Sequence, residues 1–340
     1  MKLKPDKNTC YFGATALIKH LEAFKQEIEG VRQAQDIEYI HRMRVASRRL
    51  RGALPLFAAC FPEKKVSSWI SQIRRITLAL GNARDTDVQL NLLNQFHNEL
   101  EEEKFRPGVR RLILRLTQRR VKLQVKVNLS LERLAKSGML EEISAQLNKT
   151  LIHFPEPLPF SQPLYNLAYQ SIDERLTEFL DFEEFIYFPE RVTELHTMRI
   201  AAKRLRYVIE IFSPLYPDEL KSFFQAARKT QDTLGDIHDY DVWQQYLPEF
   251  LERERQRVIV FYGSTRAYNR ITHGIYYFQQ NCRERREQYY KDFLTDWQRW
   301  KTKNLWDNLR DVTQLPLLLV EQVYPPSPPD VETSMPEVNS

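Results

Sequence analysis

The sequence predicts an all-α protein: two antiparallel helical bundles, related by an approximate two-fold axis and produced by an internal duplication. Three observations carry this. Glycine supplies 9 of the 340 residues, too few for Gly-rich phosphate loops, a Rossmann fingerprint or abundant β-turns. Apolar residues recur with helical period along most of the chain, and no strand pattern competes. One basic motif occurs twice, 155 residues apart.

The periodicity predicts helices over 9–33, 36–60, 63–80, 84–104 and 108–136, then over 163–183, 190–213, 217–234, 239–258 and 264–300. Between the two sets, Pro155, Pro157, Pro159 and Pro163 remove helical N–H donors and restrict their neighbours. The expected organisation is a first bundle over 1–155, a linker over 156–163 and a second bundle over 164–310. Residues 311–323 receive no assignment. Residues 324–340, with five prolines and no basic residue, read as a disordered tail.

The first copy of the motif runs His41-Arg42-Met43-Arg44-Val45-Ala46-Ser47-Arg48-Arg49-Leu50-Arg51. The second runs His196-Thr197-Met198-Arg199-Ile200-Ala201-Ala202-Lys203-Arg204-Leu205-Arg206. The match continues at Phe57 and Phe212 and at Pro62 and Pro217. After a one-residue gap, Leu80-Gly81-Asn82-Ala83-Arg84-Asp85-Thr86-Asp87-Val88 aligns with Leu234-Gly235-Asp236-Ile237-His238-Asp239-Tyr240-Asp241-Val242. Matches in one order at one spacing mark a duplication.

At about 100° per residue, His41, Arg44, Arg48 and Arg51 fall within an arc of roughly 80°. Met43, Ala46, Leu50 and Phe57 fall on the opposite side and are the packing face. His196, Arg199, Lys203 and Arg206 repeat the row, opposite Met198, Ala201, Leu205 and Phe212. A solvated helix face normally interleaves both signs, yet no acid occurs from Tyr39 to Pro62. Such a row suits a multivalent anion, because guanidinium forks match phosphate oxygens. Histidine in line with cations fits a phosphate donor better than a metal ligand.

Further cations extend the pattern. Arg74 and Arg75 align with Arg228 and Lys229. Arg111, Arg115, Arg119, Lys122 and Lys126 share one face of the 108–136 helix, in a stretch free of acids from Arg106 to Leu131. Arg49 and Arg204 fall off the main arc and are expected to pair with the motif's Asp residues. Asp85, Asp87, Asp239 and Asp241 read as caps of the helices that follow the Leu-Gly break and as orienting partners for arginines. Ligation of a hard cation such as Mg²⁺ is the other chemistry open to them.

The whole-chain balance of 50 Lys+Arg against 45 Asp+Glu gives a net charge of +5. It conceals +11 over residues 1–158 and −6 over the remainder. The basic half points to an anionic partner. Cys10, Cys60 and Cys282 are widely spaced and odd in number, so they read as small buried residues and not as a disulfide framework. The polar start lacks a secretory h-region and no apolar run is long enough for a membrane span, so the expected location is the cytoplasm.

The duplicated His41-x-x-Arg44-(x3)-Arg48-Arg49-Leu50-Arg51 and Leu80-Gly81-x-x-Arg84-Asp85-x-Asp87-Val88 motifs resemble the signature of CHAD proteins, the conserved histidine α-helical domain, over about residues 9–305. The resemblance implies two pseudo-symmetric helical bundles, a basic central surface, binding of inorganic polyphosphate and association with polyphosphate granules. An adjoining triphosphate-tunnel domain is not expected, because no E-x-E-x-K strand precedes the first copy. This chain departs from the pattern at Lys203, a point charge in place of a fork, and at His238, in the place of Arg84. Both suggest a weaker second half.

The expected function is therefore non-enzymatic polyphosphate binding, with no cofactor and no metal. A polyanion held this way binds with steep salt dependence, since each neutralised phosphate releases counterions. A metal-dependent phosphohydrolase is the enzymatic alternative, built on His238-Asp239 with His196 and Asp241. The charge also fits nucleic acid, but the aromatics sit at helical core spacing without a stacking platform.

Overall fold

A computed structural model describes residues 6–152 and 158–323. The described residues are helical with no strand, in the order α1 (Lys7–Gln26), α2 (Ile28–Gln33), α3 (Ile37–Leu56), α4 (Glu63–Glu99), α5 (Arg106–Lys136), α6 (Met139–Ile152), α7 (Gln162–Leu180), α8 (Val192–Phe212), α9 (Lys221–Tyr262), α10 (Arg266–Thr302) and α11 (Leu305–Val323). Part of the expected linker and all of the expected tail over 324–340 lie outside the described residues.

Local chemistry fixes several boundaries. The Asp6 carboxylate accepts from the Thr9 N–H to start α1, and Asp36 accepts from the Glu38 N–H to start α3. Gly263, at φ 67°, ends α9 with its N–H on the Ile259 carbonyl.

Four expectations need correction. The 63–80 and 84–104 helices are one helix, α4, and the 217–234 and 239–258 helices are one helix, α9. Gly81 and Gly235 therefore sit inside helices. Asp85, Asp87, Asp239 and Asp241 lie mid-helix and cap nothing. The 9–33 segment divides at Glu27 into α1 and α2. Helices α6 and α11 occupy stretches to which the periodicity assigned no element. Cys10 and Cys60 form a disulfide that ties α1 to the turn after α3. Their Cα atoms stand 5.4 Å apart, within bridging distance. Cys282 is free and buried, and burial pushes its thiol up to about 12.

Apolar faces close the structure. In one cluster the motif helices α3 and α8 bury Met43, Leu50 and Ala53 beside Met198, Leu205 and Phe212, together with α1, α7 and the first halves of α4 and α9. Phe57 and Phe212 meet with ring centroids 6.0 Å apart, and Phe12 lies parallel to Phe212. A second cluster joins the far ends of α4, α5, α9 and α10 through Leu93, Leu112, Trp243 and Phe278. The packing faces expected from the motif are the buried ones, and the cationic faces of α3 and α8 are left facing outward.

Candidate functional site: a cationic groove

The outward faces of α3 and α8 form the floor of a groove of about 1050 Å³ walled by α4 and α9. From α3 it is lined by His41, Arg44, Arg48 and Arg51, and from α8 by Arg199, Lys203 and Arg204. Arg84 and Asp85 enter from α4, and His238 and Asp239 from α9. The Arg44 side chain crosses α4 at Gly81, where a Cβ would lie 3.5 Å from the Arg44 Nε.

The cations of the two rows depress one another. Burial, then the charges of Arg48, Arg199 and Arg44, brings the Lys203 ammonium down to about 7. Burial brings Arg48 down to about 10, with Arg44, Arg199 and Arg206 adding to the effect against an opposing contribution from Tyr207. Arg51 and Arg199 are lowered chiefly by burial, with Arg74 beside the first and Arg44 beside the second. The histidines follow. His41 is lowered by burial and Arg84, and His196 by burial, Arg199 and Lys203. His238 falls to about 4 through burial, Arg199 and His196. Burial within the groove walls pushes Asp239 up to about 6, although Arg199 pulls against it. In the groove the Nε of Arg44 and Arg199 and the Nδ1 of His238 are buried without a hydrogen-bond partner among the described residues, and so, beside it, are the Nε of Arg206 and the Nδ1 of His196. Unpaired guanidinium donors and mutually repelling cations are chemically suited to an anion.

Not every cation of the sequence motif lines it. His196 lies beside the groove, with its ring centroid 3.9 Å from that of His238. Arg206 sits over the Tyr207 ring at 4.9 Å, a cation–π contact. Arg74, Arg75, Arg228 and Lys229 are exposed outside the lining, although Arg74 is near enough to act on Arg51. Arg228 faces Asp232, and Lys229 faces Asp296.

The α5 row lies elsewhere. Arg111 and Arg115 reach the α9 residue Glu254, which is fully buried and also holds Arg257. These two cations serve an internal carboxylate. Arg119 and Lys122 are exposed further along α5.

The expected partners of Arg49 and Arg204 also change. Arg49 pairs with Glu210 and Arg204 with Glu178, because both point sideways between helices and away from the Asp motif. Three of the four motif Asp residues pair with arginines, and Asp239 is near Arg199 without an ion pair among the described residues. Asp85 meets Arg44 at 3.5 Å, and Asp87 accepts from Arg120 at 2.6 Å. Asp241 is held by Arg286. Among the described residues no three His, Cys, Asp or Glu side chains converge as metal ligands, and the His238 ring lies tilted against that of His196.

Sequence reasoning missed Arg175. It lies on α7 within an acid-rich stretch, bonds Glu178 and lines the groove beside Arg204. Tyr207, the aromatic floor residue under Arg48 and Arg206, was also missed.

A search of curated proteins finds no significant match. Among solved structures, the CHAD domain from the plant Ricinus communis is similar over 81% of this chain and 95% of that one, at 22% identity and a TM-score of 0.56. PptA from Streptomyces chartreusis is similar over 86% of this chain and 99% of that one, at 13% identity and a TM-score of 0.54. Both likenesses concern the fold. In sequence, the family model for the CHAD domain matches residues 15–248. That span contains both copies of the motif and every residue of the groove lining, and it fixes the classification: the chain belongs to the CHAD domain family.

Proposed function

We propose that the groove binds inorganic polyphosphate and holds it without hydrolysing it. The observation that carries this reading is the enclosure of Arg44, Arg48, Arg51, Arg199 and Lys203 in one groove, where burial and mutual repulsion hold their pKa values low or leave their donors unpartnered. Polyphosphate repeats a negative charge at every unit and has no base to be read. Side chains on two helices can track it without a backbone phosphate loop, consistent with a chain of 9 glycines. Family membership and the likeness to a plant CHAD domain support the same reading.

The two motif helices lie side by side, and their equivalent residues Phe57 and Phe212 touch. We read this as a pseudo-two-fold arrangement left by duplication, with both copies facing one ligand. The working location is the cytoplasm, at polyphosphate granules. Among the described residues no helix is long and apolar enough to cross a membrane.

The test is direct. Polyphosphate of defined lengths is titrated at several salt concentrations, and released phosphate is followed in the same samples with added Mg²⁺ or Mn²⁺. With six to ten phosphate contacts, affinity falls by roughly 10³–10⁵ between 50 and 200 mM salt, by analogy with nucleic acids. Binding that ignores salt, or phosphate release abolished by His238→Ala, overturns the proposal.

A further inference from the structure

One wall of the groove carries apolar and amide side chains that inorganic polyphosphate does not require. The α4 wall presents Leu78, Asn82, Asp85, Val88, Gln89 and Leu92, positions that recur every three or four residues and so share one helix face. Leu78 is 58% exposed and Val88 37% exposed, both toward the cavity. The Asn82 and Gln89 amides are engaged by no other side chain among the described residues. A purely anionic polymer gains nothing by covering leucine and valine, and it can use the N–H donors of an amide but leaves its carbonyl acceptor unmatched.

The apolar positions stand close to the cations. Arg44 crosses α4 at Gly81 and reaches Asp85. At 1.5 Å of rise per residue, Leu78 and Val88 flank Asp85 at about 10 Å and about 5 Å along the helix. On the opposite wall Val242 lines the same cavity. Ligand sites for organic molecules have this composition: an apolar surface with a few polar groups that fix orientation.

Resting on the reading of the floor as a phosphate site, we infer that the groove also takes nucleoside polyphosphates. Their phosphates lie on Arg44, Arg48 and Lys203, and their base lies on the α4 wall. Leu78 covers the base face. Asn82, one helical turn away at about 6 Å of rise, has the donor–acceptor pair that a base edge requires.

The experiment compares ATP with tripolyphosphate, which has three linked phosphates and no base, by calorimetric titration at fixed salt. Long-chain polyphosphate is measured alongside. ATP is expected to bind at least fivefold more tightly than tripolyphosphate. Leu78→Ser and Asn82→Ala should each erode that advantage and leave tripolyphosphate within twofold of its starting affinity. A tripolyphosphate affinity equal to or above that of ATP overturns the inference, as do variants that weaken both ligands alike. Tight binding of long-chain polyphosphate with no advantage for ATP sinks this inference alone. An ATP advantage without long-chain binding upholds it and overturns the polyphosphate reading, and failure of all three ligands sinks both.

Discussion

The imidazole of His196 lies 3.9 Å, centroid to centroid, from that of His238, and this pair replaces a salt bridge present in the other copy of the motif. There, Arg84 stands in the place of His238 and pairs with Glu38 at 3.2 Å. The residue matching Glu38 is Thr193. The second motif thus lacks both the cation and the acid that neutralises it in the first, and His238 lies against His196 with both imidazoles held below their ordinary pKa by burial and Arg199.

Restoring the cation alone should therefore separate binding from stability. His238→Arg is expected to tighten polyphosphate binding severalfold and to destabilise the free protein, because the new charge lies near Arg199 without an acid. Adding Thr193→Glu should recover about 0.5–1 kcal/mol, the usual worth of a partly exposed pair. A double-mutant cycle in urea measures it. A cycle with no coupling would show that the copies are not equivalent at this position.

Lys203 predicts the pH dependence. Its folded pKa is about 7 against an ordinary 10.5. A bound polyanion favours the ammonium and raises that value, so binding takes up a proton above pH 7. Affinity should be level below about pH 7 and fall as pH rises beyond it, by at most tenfold per unit for this one group. The unliganded protein shows the opposite trend. Between about pH 7 and 10.5 the unfolded chain binds a proton that the folded chain has released, so this group makes stability rise with pH. Lys203→Met should flatten both profiles. It should also raise the neutral-pH melting temperature while weakening binding.

The paired aspartates of the motif should respond in opposite ways. Asp87 is 4% exposed and accepts from Arg120. Asp87→Asn leaves a largely buried guanidinium without its counter-charge and should cost roughly 1–3 kcal/mol. Asp85 faces the groove with its side chain 65% exposed and touches Arg44 at 3.5 Å. Asp85→Asn should leave stability unchanged, since such pairs contribute little. By removing an anion from the ligand's path, it should strengthen polyphosphate binding. Chemical denaturation and salt titration of the two variants separate these roles.

The motif helices were legible because everything that defines them is local. The cation arc and the apolar arc of α3 and α8 are both read at helical spacing, and the groove floor follows. What failed depended on distant residues. The Leu80-Gly81 and Leu234-Gly235 steps look like breaks, but each helix continues, and Gly81 is where Arg44 crosses α4. The acid-free stretch from Arg106 to Leu131 looks like a free cation row, but the acid that serves it, Glu254, lies more than a hundred residues away on another helix. Arg49 and Arg204 found Glu210 and Glu178 across helix contacts that no spacing rule encodes. Helix α6 carries Met139, Leu140, Ile143 and Leu147 at helical spacing, so it was legible and its omission came from giving the neighbouring proline-rich stretch too much reach.

The Glu254 cluster gives a test of the α5 row. Its carboxylate is fully buried; burial raises its pKa, but Arg115 and Arg257 hold it below the usual carboxylate range. Arg115 bonds both carboxylate oxygens. Arg115→Gln removes one cation from a buried network and should cost about 3 kcal/mol, with the salt slope of polyphosphate binding unchanged. A shallower slope at unchanged stability would assign Arg115 to ligand binding instead.

Gly274, Gly81 and Gly138 should respond differently to one added methyl group, and the differences test how the groove is held. A Cβ on Gly274 would lie 1.9 Å from the Phe105 carbonyl oxygen, and one on Gly108 would lie 2.2 Å from that of Ile271. These are backbone atoms and cannot swing aside, so α5 and α10 cross here in direct contact. Gly274→Ala must push the two helices apart and loosen the cluster around Leu112 and Ile275, at a cost of about 3 kcal/mol or more. Because that cluster also holds the far ends of α4 and α9, the groove walls should widen and polyphosphate binding should weaken with the melting temperature. At Gly81 the added Cβ meets Arg44 at 3.5 Å, an ordinary contact with a flexible side chain. Alanine there gains helix propensity, up to about 1 kcal/mol, and binding should change little. Gly138 has φ 62° and open space around it, so alanine pays only for the left-handed backbone, about 1 kcal/mol. A thermal series with Gly274→Ala least stable, Gly138→Ala intermediate and Gly81→Ala at or above the parent is the expected order. Gly274→Ala as stable as the parent would mean that α5 and α10 do not cross this closely, and that the α4 and α9 walls are positioned by something other than this contact.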